Sequence, residues 1–395
     1  MKGYSRADWL RMKKEVTTWV GPMSKARINR RLRQWERSIN DMSWRRSAPI
    51  LIERMRSMKR LLERREYPHP DSFFFAIEDL PYMGKEYWFL YFVVPGSDRQ
   101  VVITAGRSQE PVKVNKTSVK DAAPKTAEDA GAKVVDCAAV CWMHSDKKEV
   151  FIDSGGQVGL SAHGSGHRMF FRKGGNEMVV QGAYPSFDIV LKKAGKEVFY
   201  AKAKPKKGGL PWEMPPRLME NPLVKGFGAL LVNYYFDFTG RMKGKPVKGR
   251  AYLQKVVATV PLAPWNWVRV EFANGDSLDY FAGKPLGEKI GPQVHFLCND
   301  FVEIRGRRIR MNDLKLQSFM DGETRRWVLS GKKLFISMES YSLQPFSMRQ
   351  NTQFQYDEYL VRVNDFVMKD GKKTYTLKDM GPASGIIEDA YGYLL

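Results

Sequence analysis

Cysteine is scarce in this sequence, with three residues in a chain of 395: Cys137, Cys141 and Cys298. Such a count gives no disulfide framework, and we expect reduced thiols. Long apolar runs are also absent. The longest, from Tyr87 to Pro95, is far shorter than the roughly 20 residues of a membrane-spanning helix, and the basic amino terminus has no secretory apolar stretch. These absences predict a cytoplasmic protein.

The signatures of nucleotide and nucleophile chemistry are missing too. The sequence contains no phosphate-binding loop, nucleophile elbow or dinucleotide fingerprint, and we expect no cofactor. Two pairs, Cys137 with Cys141 and His163 with His167, are spaced like zinc ligands. The separation between ligands does not match a zinc finger, and the cysteines lie in an apolar strand. We therefore predict no metal site.

Aromatic residues and positive charge are plentiful instead. Phe, Trp and Tyr make up 12% of the chain, and the formal net charge is +22, about half of it before residue 67. Apolar residues recur at helical spacing through 5–19 and 24–66, with a break at Gly21-Pro22. The sequence therefore predicts a basic helical extension over residues 1–66.

Three interpretations of this extension stay open, and we rank them in this order. Its helices pack an apolar stripe on the next domain and leave a solvated basic face. Alternatively, tryptophans among arginines contact an anionic membrane, which would hold the protein at the inner face of the membrane. Last, the charge neutralises nucleic-acid phosphates, although no recognised binding module accompanies it.

After residue 67 the pattern changes to the alternation of antiparallel strands, with glycine-bearing turns between short runs. A segment rich in Pro, Lys and Gly interrupts the alternation and predicts a linker over 206–222. We therefore predict a mainly β fold with two tandem antiparallel β-barrels, over 67–205 and 223–395. The alternation does not distinguish a barrel that holds a ligand from a filled sandwich.

The second half carries a series of motifs. They follow the order Tyr234-Tyr235, Gly244-Lys245-Pro246-Val247, Gly249-Arg250-Ala251-Tyr252-Leu253, Trp265-x-Trp267, Asn274-Gly275 with Leu278, and a closing strand over 385–392. In this order the motifs resemble the two-domain lipocalin-like proteins that include AttH, carotenoid hydratase (hydroxyneurosporene synthase) and, more distantly, tocopherol cyclase. The specific match covers roughly the last 170 residues.

The resemblance implies two lipocalin-like barrels side by side and an activity on long isoprenoid chains, through protonation of a double bond or cyclisation. One feature departs from the family. After the Gly-x-Ala-Trp/Tyr-Leu strand the family usually has an Asp and then Glu-Trp, whereas this chain has Gln254, Val256 and Val257. The acidic cluster that would be assigned to acid catalysis is missing, so the hydratase activity does not carry over directly.

Hydration or cyclisation of an alkene needs a strong proton donor, and a buried carboxylic acid is the usual one. Asp237 shares a strand face with Tyr235, and Glu271 shares one with Trp265 and Trp267. We predict Asp237 or Glu271 as the catalytic acid. The alternative is that each is exposed and paired with a Lys or Arg, because charged residues are rarely buried.

The predicted substrate-binding residues are aromatic or uncharged polar side chains of these strands. Rings that line a lipid pocket and rings that fill a core have the same pattern, and a polar row inside a barrel looks like the solvent face of a strand. Both alternatives stay open. The residues are Asn233, Tyr235, Tyr252, Gln254, Trp265, Trp267, His295 and Asn299.

The sequence therefore predicts that the protein encloses a long hydrophobic, isoprenoid-type molecule in a β-barrel pocket and hydrates, cyclises or isomerises it by acid catalysis without a redox cofactor. One alternative is a lipid carrier without catalysis, which the missing acidic cluster favours. A second alternative is a basic protein that associates with membranes or nucleic acid through residues 1–66.

Overall fold

The computed structural model describes residues 73–74, 80, 84–119, 125–126, 132–163, 166–183, 185–205, 212–213, 229–258, 264–284, 294–295 and 300–394. The predicted helices at 5–19 and 24–66 lie outside this range. Within it, no helix has the length and apolar character needed to span a membrane.

The described residues form strands β1 to β25 and one short helix, α1 (Leu377–Met380). The strands of the first half are β1 (Lys85–Val93), β2 (Gln100–Ser108), β3 (Val112–Val114), β4 (Thr117–Val119), β5 (Lys125–Thr126), β6 (Lys133–His144), β7 (Lys148–His163), β8 (Gly166–Lys173), β9 (Asn176–Ala183), β10 (Ser186–Lys193), β11 (Lys196–Pro205) and β12 (Trp212–Glu213). Those of the second half are β13 (Ala229–Met242), β14 (Lys245–Ala258), β15 (Trp265–Phe272), β16 (Ser277–Gly283), β17 (Val294–His295), β18 (Phe301–Ile304), β19 (Arg307–Arg310), β20 (Lys315–Asp321), β21 (Thr324–Ser330), β22 (Leu334–Arg349), β23 (Gln353–Asp370), β24 (Lys373–Thr376) and β25 (Ala383–Gly392).

Ten strands close into an antiparallel barrel in the order β11-β10-β9-β8-β7-β6-β2-β1-β14-β13, and β11 pairs with β13 to complete it. The closing pair places Tyr200 opposite Arg241. Gly240 is next to this pair, and a Cβ there would overlap the carbonyl oxygen of Tyr200, so glycine allows the two backbones to approach. The hairpin between β13 and β14 turns at Lys243 and Gly244, both with positive φ, as a type I′ turn requires.

This barrel draws strands from both sides of the predicted linker. Residues 229–258 belong to the predicted second barrel, whereas hydrogen bonding places β13 and β14 in the first. Most of 206–222 lies outside the described residues, and β12 within it pairs with β13, Trp212 opposite Tyr234.

The second sheet is open, in the order β19-β18-β16-β15-β25-β23-β22-β21-β20 with shorter strands at its sides. The prediction of a second closed barrel is therefore wrong. The prediction fails because the β13–β14 hairpin, which it assigns to the second barrel, completes the first barrel instead. The β3–β4 hairpin makes the opposite exchange: it comes from the first half of the chain but joins the second sheet. There β3 pairs with β22, and Val114 lies opposite Met348.

The two sheets pack face to face through a mainly aromatic cluster that we call the seam. Alternation along the strands produces it, because successive side chains point to opposite faces. On β15, for example, Trp267 faces the seam while Val268 and Val270 enter the core of the second sheet. The largest side chains of the seam are Phe89, Tyr91, Trp142, Tyr235, Tyr252, Trp267, Phe346, Phe354 and Tyr356. The barrel interior is a separate packed core.

Candidate functional site

Three predicted aromatic residues meet in the seam. Tyr235 lies opposite Tyr252 in the register of β13 and β14, with ring centroids 5.4 Å apart. Tyr252 is 5.3 Å from Trp267 of the second sheet, and Phe89 of β1 contacts Trp267 at 5.6 Å. Trp267 is 4% exposed and donates its Nε1–H to Asp279 Oδ1 at 3.0 Å. These rings pack against one another across the seam.

The predicted polar residues follow the same strands. Asn233 lies opposite Gln254; it is buried, and its Oδ1 accepts no hydrogen bond from the described residues. Gln254 donates from Nε2 to the Tyr252 hydroxyl at 2.8 Å. The backbone of His295 pairs with Ala282 on β16, and Asn299 lies outside the described residues.

Both predicted acids form ion pairs. Asp237, with a side chain that is 44% exposed, pairs with its register partner Arg250. Glu271 is buried and contacts Arg269 at 2.5 Å. Arg269 also binds Asp279 at 2.7 Å. An ion-paired carboxylate is a poorer proton source than a buried carboxyl group without a cation beside it.

Arg269 stabilises the seam from within. Its guanidinium lies 4.7 Å from the Tyr235 ring and 5.1 Å from the Tyr252 ring. Burial disfavours its charge, but the opposite charges of Glu271 and Asp279 outweigh that penalty and raise the pKa of Arg269 well above its ordinary value. This cation therefore stays charged and holds the carboxylates around it in place.

A pair of buried acids on neighbouring strands of the second sheet is not among the predicted residues. Glu358 on β23 and Glu388 on β25 are direct register partners. The hydroxyl of Tyr356 lies 2.7 Å from Glu388 Oε1 and 3.1 Å from Glu358 Oε1. Among the described residues, no Lys or Arg forms an ion pair with Glu358 or Glu388. The two carboxyl groups therefore share a neutral hydroxyl and form no ion pair within the described chain.

Glu358 is completely buried. Besides Tyr356, two donors from the barrel reach it: Trp142 Nε1 to Oε2 at 2.7 Å and Thr104 Oγ1 to Oε1 at 3.1 Å. Burial raises the pKa of Glu358 to about 8, with a further contribution from the negative charge of Glu388, although the three hydrogen bonds oppose the rise. Near neutral pH this carboxyl group is therefore largely protonated.

Glu388 lies nearer the surface, with 8% of the residue exposed. Trp265 donates from Nε1 to its Oε2 at 2.9 Å. Burial raises the pKa of Glu388 to about 7, against the hydrogen bonds from Tyr356 and Trp265. Trp265 is itself half-buried and stacks on half-buried Phe281, with centroids 6.5 Å apart. Glu388 therefore lies beside an aromatic surface that solvent reaches.

The geometry of Tyr356 restricts where protons can lie. A phenol carries one hydrogen, so it can donate to one carboxylate at a time. Its contact with the other acid is a hydrogen bond only if that carboxyl group is protonated and donates to the phenol oxygen. The Glu358–Tyr356–Glu388 arrangement therefore favours one carboxylic acid and one carboxylate, with a path for the proton between them.

A small cleft opens in the seam beside the predicted residues. Its free volume is about 10 Å³, which is room for about one water. A long isoprenoid does not fit it. The lining residues include Tyr235, Arg250, Arg269, Glu271 and Arg308.

The sequence did hold a signal for the two acids. Glu358 shares a strand face with Tyr356 and Leu360, and Glu388 shares one with Ile386 and Ala390; four of these neighbours belong to the seam. An acid at an inward position of an otherwise apolar strand row is removed from water, and such desolvated carboxyl groups are candidates for functional sites.

The predicted zinc-like pairs occupy other places. Cys137 and Cys141 are buried free thiols of β6 in the barrel core, and burial raises the pKa of Cys137 to about 12. His163 and His167 lie on β7 and β8. Among the described residues, His, Cys, Asp and Glu form no group of three or more that could hold a metal ion.

Several solved structures are similar to this chain. CghA, in a crystal structure with Sch210972, has a TM-score of 0.42 at 10% identity over 78% of this chain and 89% of its own. A candidate AttH of Nitrosomonas europaea has 0.38 at 11% identity over 84% and 97%. Kievitone hydratase of Nectria haematococca has 0.31 at 8% identity over 80% and 91%.

The sequence resemblance to AttH thus reappears among solved structures, at low identity. At these identities and scores the likeness assigns no residue and no activity to this chain. No family model and no curated protein matches it.

Proposed function

We propose that this protein is an enzyme that acts on a long hydrophobic, isoprenoid-type molecule and hydrates, cyclises or isomerises it by acid catalysis. One observation carries the proposal. Glu358 and Glu388 are buried in an aromatic seam, share the Tyr356 hydroxyl and form no ion pair with a Lys or Arg of the described residues. Perturbed carboxyl groups of this kind cluster at functional sites.

The chemistry needs an acid and a base that exchange one proton. A carboxylic acid gives its proton to one alkene carbon, which forms a C–H bond and leaves a tertiary carbocation and a carboxylate. Water then adds to the cation and returns a proton to the carboxylate, which gives an alcohol. If the carboxylate takes a neighbouring C–H proton instead, the product is an isomeric alkene. If a second double bond attacks the cation first, a ring forms, and the new cation then adds water or loses a C–H proton to the carboxylate. No electrons enter or leave the substrate.

The two acids have different places in this scheme. Glu388 is 8% exposed and lies against Trp265, so it is the acid that a substrate can reach. Glu358 has no exposed surface and is held by Trp142 and Thr104. We assign proton donation to Glu388 and the proton reserve to Glu358, with Tyr356 as the link between them.

Aromatic rings around Glu388 suit a carbocation, because the face of a ring attracts positive charge. Trp265 lies 5.3 Å from Phe354 and 5.6 Å from Tyr356, and it stacks on Phe281. Both Trp265 and Phe281 are half-buried. We place the substrate on this surface rather than in the 10 Å³ cleft.

The test is incubation with acyclic isoprenoid polyenes in D₂O, followed by mass spectrometry of the recovered molecules. Protonation by the enzyme leaves a carbon-bound deuterium in the product, which exchange of hydroxyl protons cannot remove. We expect Glu388→Gln to abolish this incorporation, as loss of a general acid costs about 10²-fold or more. Glu323→Gln, an exposed change on the β20–β21 hairpin, is the matched control.

The same assay separates the alternatives. A polyene that binds and is recovered without deuterium would make the protein a carrier. Incorporation that survives in both Glu388→Gln and Glu358→Gln would instead point to Asp237 or Glu271, whose roles as acids stay predictions. Asp237→Asn and Glu271→Gln then identify the donor.

The cytoplasmic location and a membrane contact through residues 1–66 also stay proposals. An isoprenoid substrate dissolves in membranes, so an enzyme that acts on it has to meet a lipid surface. Co-sedimentation of the full chain with anionic vesicles, which should weaken as salt rises, tests this contact. Equal binding to neutral vesicles would argue against an electrostatic role for the basic extension.

A further inference from the structure

The two ends of the open sheet differ in how they are protected. A free strand edge offers unpaired backbone groups to another strand, and charge on the edge discourages that pairing. At one end, β19 carries three arginines in four residues, Arg307, Arg308 and Arg310. At the other end, β20 has one Lys and one Asp in seven residues, and within the described chain it pairs only with β21. The β20 edge is therefore the less protected one.

β20 also exposes large apolar side chains. Only Leu316 of its seven residues is buried. Phe319 is 52% exposed and Met320 is 58% exposed, the highest values among the exposed large hydrophobic residues of the described chain. As neighbours on one strand they point to opposite faces of the sheet. An added strand would cover both side chains, whereas a ligand on one face would cover one.

The sequence of β20 is complementary to itself in the antiparallel direction. When two copies pair about Ser318, Lys315 of each copy lies opposite Asp321 of the other, so the dimer contains two such pairs. In the same register Leu316 lies opposite Met320, and Gln317 lies opposite Phe319. Opposite charges and apolar pairs in register stabilise antiparallel strands.

Asp321 has a carboxylate oxygen for this contact. Its Oδ2 binds Arg326 of the same chain at 2.8 Å, while the side chain is 56% exposed. Carboxylates bind more than one cation, since their two oxygens offer about four acceptor sites. The internal ion pair therefore does not compete with Lys315 of a second copy.

We propose that the protein forms a symmetric dimer in which β20 pairs with β20 of a second copy about Ser318, joining the two open sheets into one. A closed symmetric contact of this kind uses the same surface twice and stops at two copies. The proposal is independent of the catalytic function.

Two single charge reversals test the register. In a dimer of the Lys315→Asp variant, two carboxylates would lie opposite each other. In a dimer of the Asp321→Lys variant, two ammonium groups would lie opposite each other. We expect each variant to dimerise about tenfold more weakly or worse. A mixture of the two variants restores both attractive pairs, and sedimentation should show the dimer again. Lys372→Asp, an exposed change at the β23–β24 turn, is the control and should leave the dimer intact.

Cross-linking tests the centre of the pairing. In Ser318→Cys the two cysteines face each other at the twofold axis, and we expect an interchain disulfide under mild oxidation. Gln317→Cys, one residue away and opposite Phe319 of the second copy, should cross-link far less. The described native cysteines are buried in the barrel. A monomer at every concentration, or a dimer insensitive to both reversals and cross-linked equally by both cysteines, would overturn the proposal.

Discussion

The Tyr356 hydroxyl lies 2.7 Å from Glu388 Oε1, and it reaches Glu358 Oε1 on its other side at 3.1 Å. In the proposed mechanism, proton transfer between the two acids depends on this hydroxyl. It connects Glu388, which is 8% exposed, with Glu358, which has no exposed surface.

Tyr356→Phe removes the hydroxyl and keeps the ring. We expect turnover of an isoprenoid polyene to fall about 10²-fold, in the range of a lost proton-transfer group, while KM changes little because the aromatic surface persists. Steady-state kinetics over pH 5 to 9 measure both. Tyr375→Phe, on a half-buried tyrosine of β24, is the control, and a change in KM alone would mean that Tyr356 only packs.

Stability should fall as pH rises from about 5 to about 8. The unfolded carboxyl groups have pKa values of about 4.3, whereas burial raises those of Glu358 and Glu388 to about 8 and about 7. Between these values the folded state holds protons that the unfolded state has lost, so the free energy of unfolding decreases by about 1.4 kcal/mol per pH unit and group. Urea denaturation at several pH values should show the decrease, and Glu358→Gln should flatten it.

Two lysines should reverse this trend above pH 8. Burial lowers the pKa of Lys85 to about 8, and it also lowers the pKa of Lys255 to about 8 against the opposing charge of Glu86. Above that pH the unfolded chain holds protons that the folded chain lacks, so stability rises with pH until about 10.4. We expect a stability minimum near pH 8. A profile that falls steadily through pH 9 would contradict it.

The barrel interior contains a cluster of three charged side chains, and replacing different members should destabilise the fold by different amounts. Glu86 binds Arg107 at 2.8 Å and Lys255 at 2.6 Å, all three buried. Glu86→Gln leaves two buried cations without that carboxylate, which costs about 3–5 kcal/mol. Lys255→Met keeps the Glu86–Arg107 pair and the packing on Trp88, so it should cost clearly less. Equal losses in urea unfolding would mean that this carboxylate does not balance the two cations.

The strands could be predicted because period-two alternation and glycine turns act locally. Lys243-Gly244, for instance, is a glycine-bearing pair between two alternating runs, and both residues have positive φ in the hairpin turn. Closure of the barrel could not be predicted, since it depends on β11 pairing with β13 across a long segment of chain. Local patterning carries no information about which distant strand a hairpin joins.

The candidate site, like the fold, could be predicted only in part from the sequence. Tyr235, Tyr252 and Trp267 are three of the eight predicted substrate-binding residues, and they meet in the seam because alternation fixes the face of each strand on which they lie. The buried acids were missed since β23 has carboxyl groups on both faces, Asp357 and Glu358 in succession. Alternation alone places two adjacent acids on opposite faces. The apolar neighbours of Glu358 favour its face as the inward one, and the packing of the barrel against the sheet decides it.

Trp265 and Trp267 could not be separated from sequence, and the structure now predicts different effects for them. Trp265 donates to Glu388 and Trp267 donates to Asp279. Trp265→Phe removes a hydrogen bond that favours the carboxylate, so the pKa of Glu388 should rise above about 7. Since the proposed mechanism uses the acid form of Glu388, the pH–rate profile should extend to higher pH. Trp267→Phe, a buried change, should lower stability and leave the profile in place, and an identical shift in both variants would show that neither indole acts on Glu388 specifically.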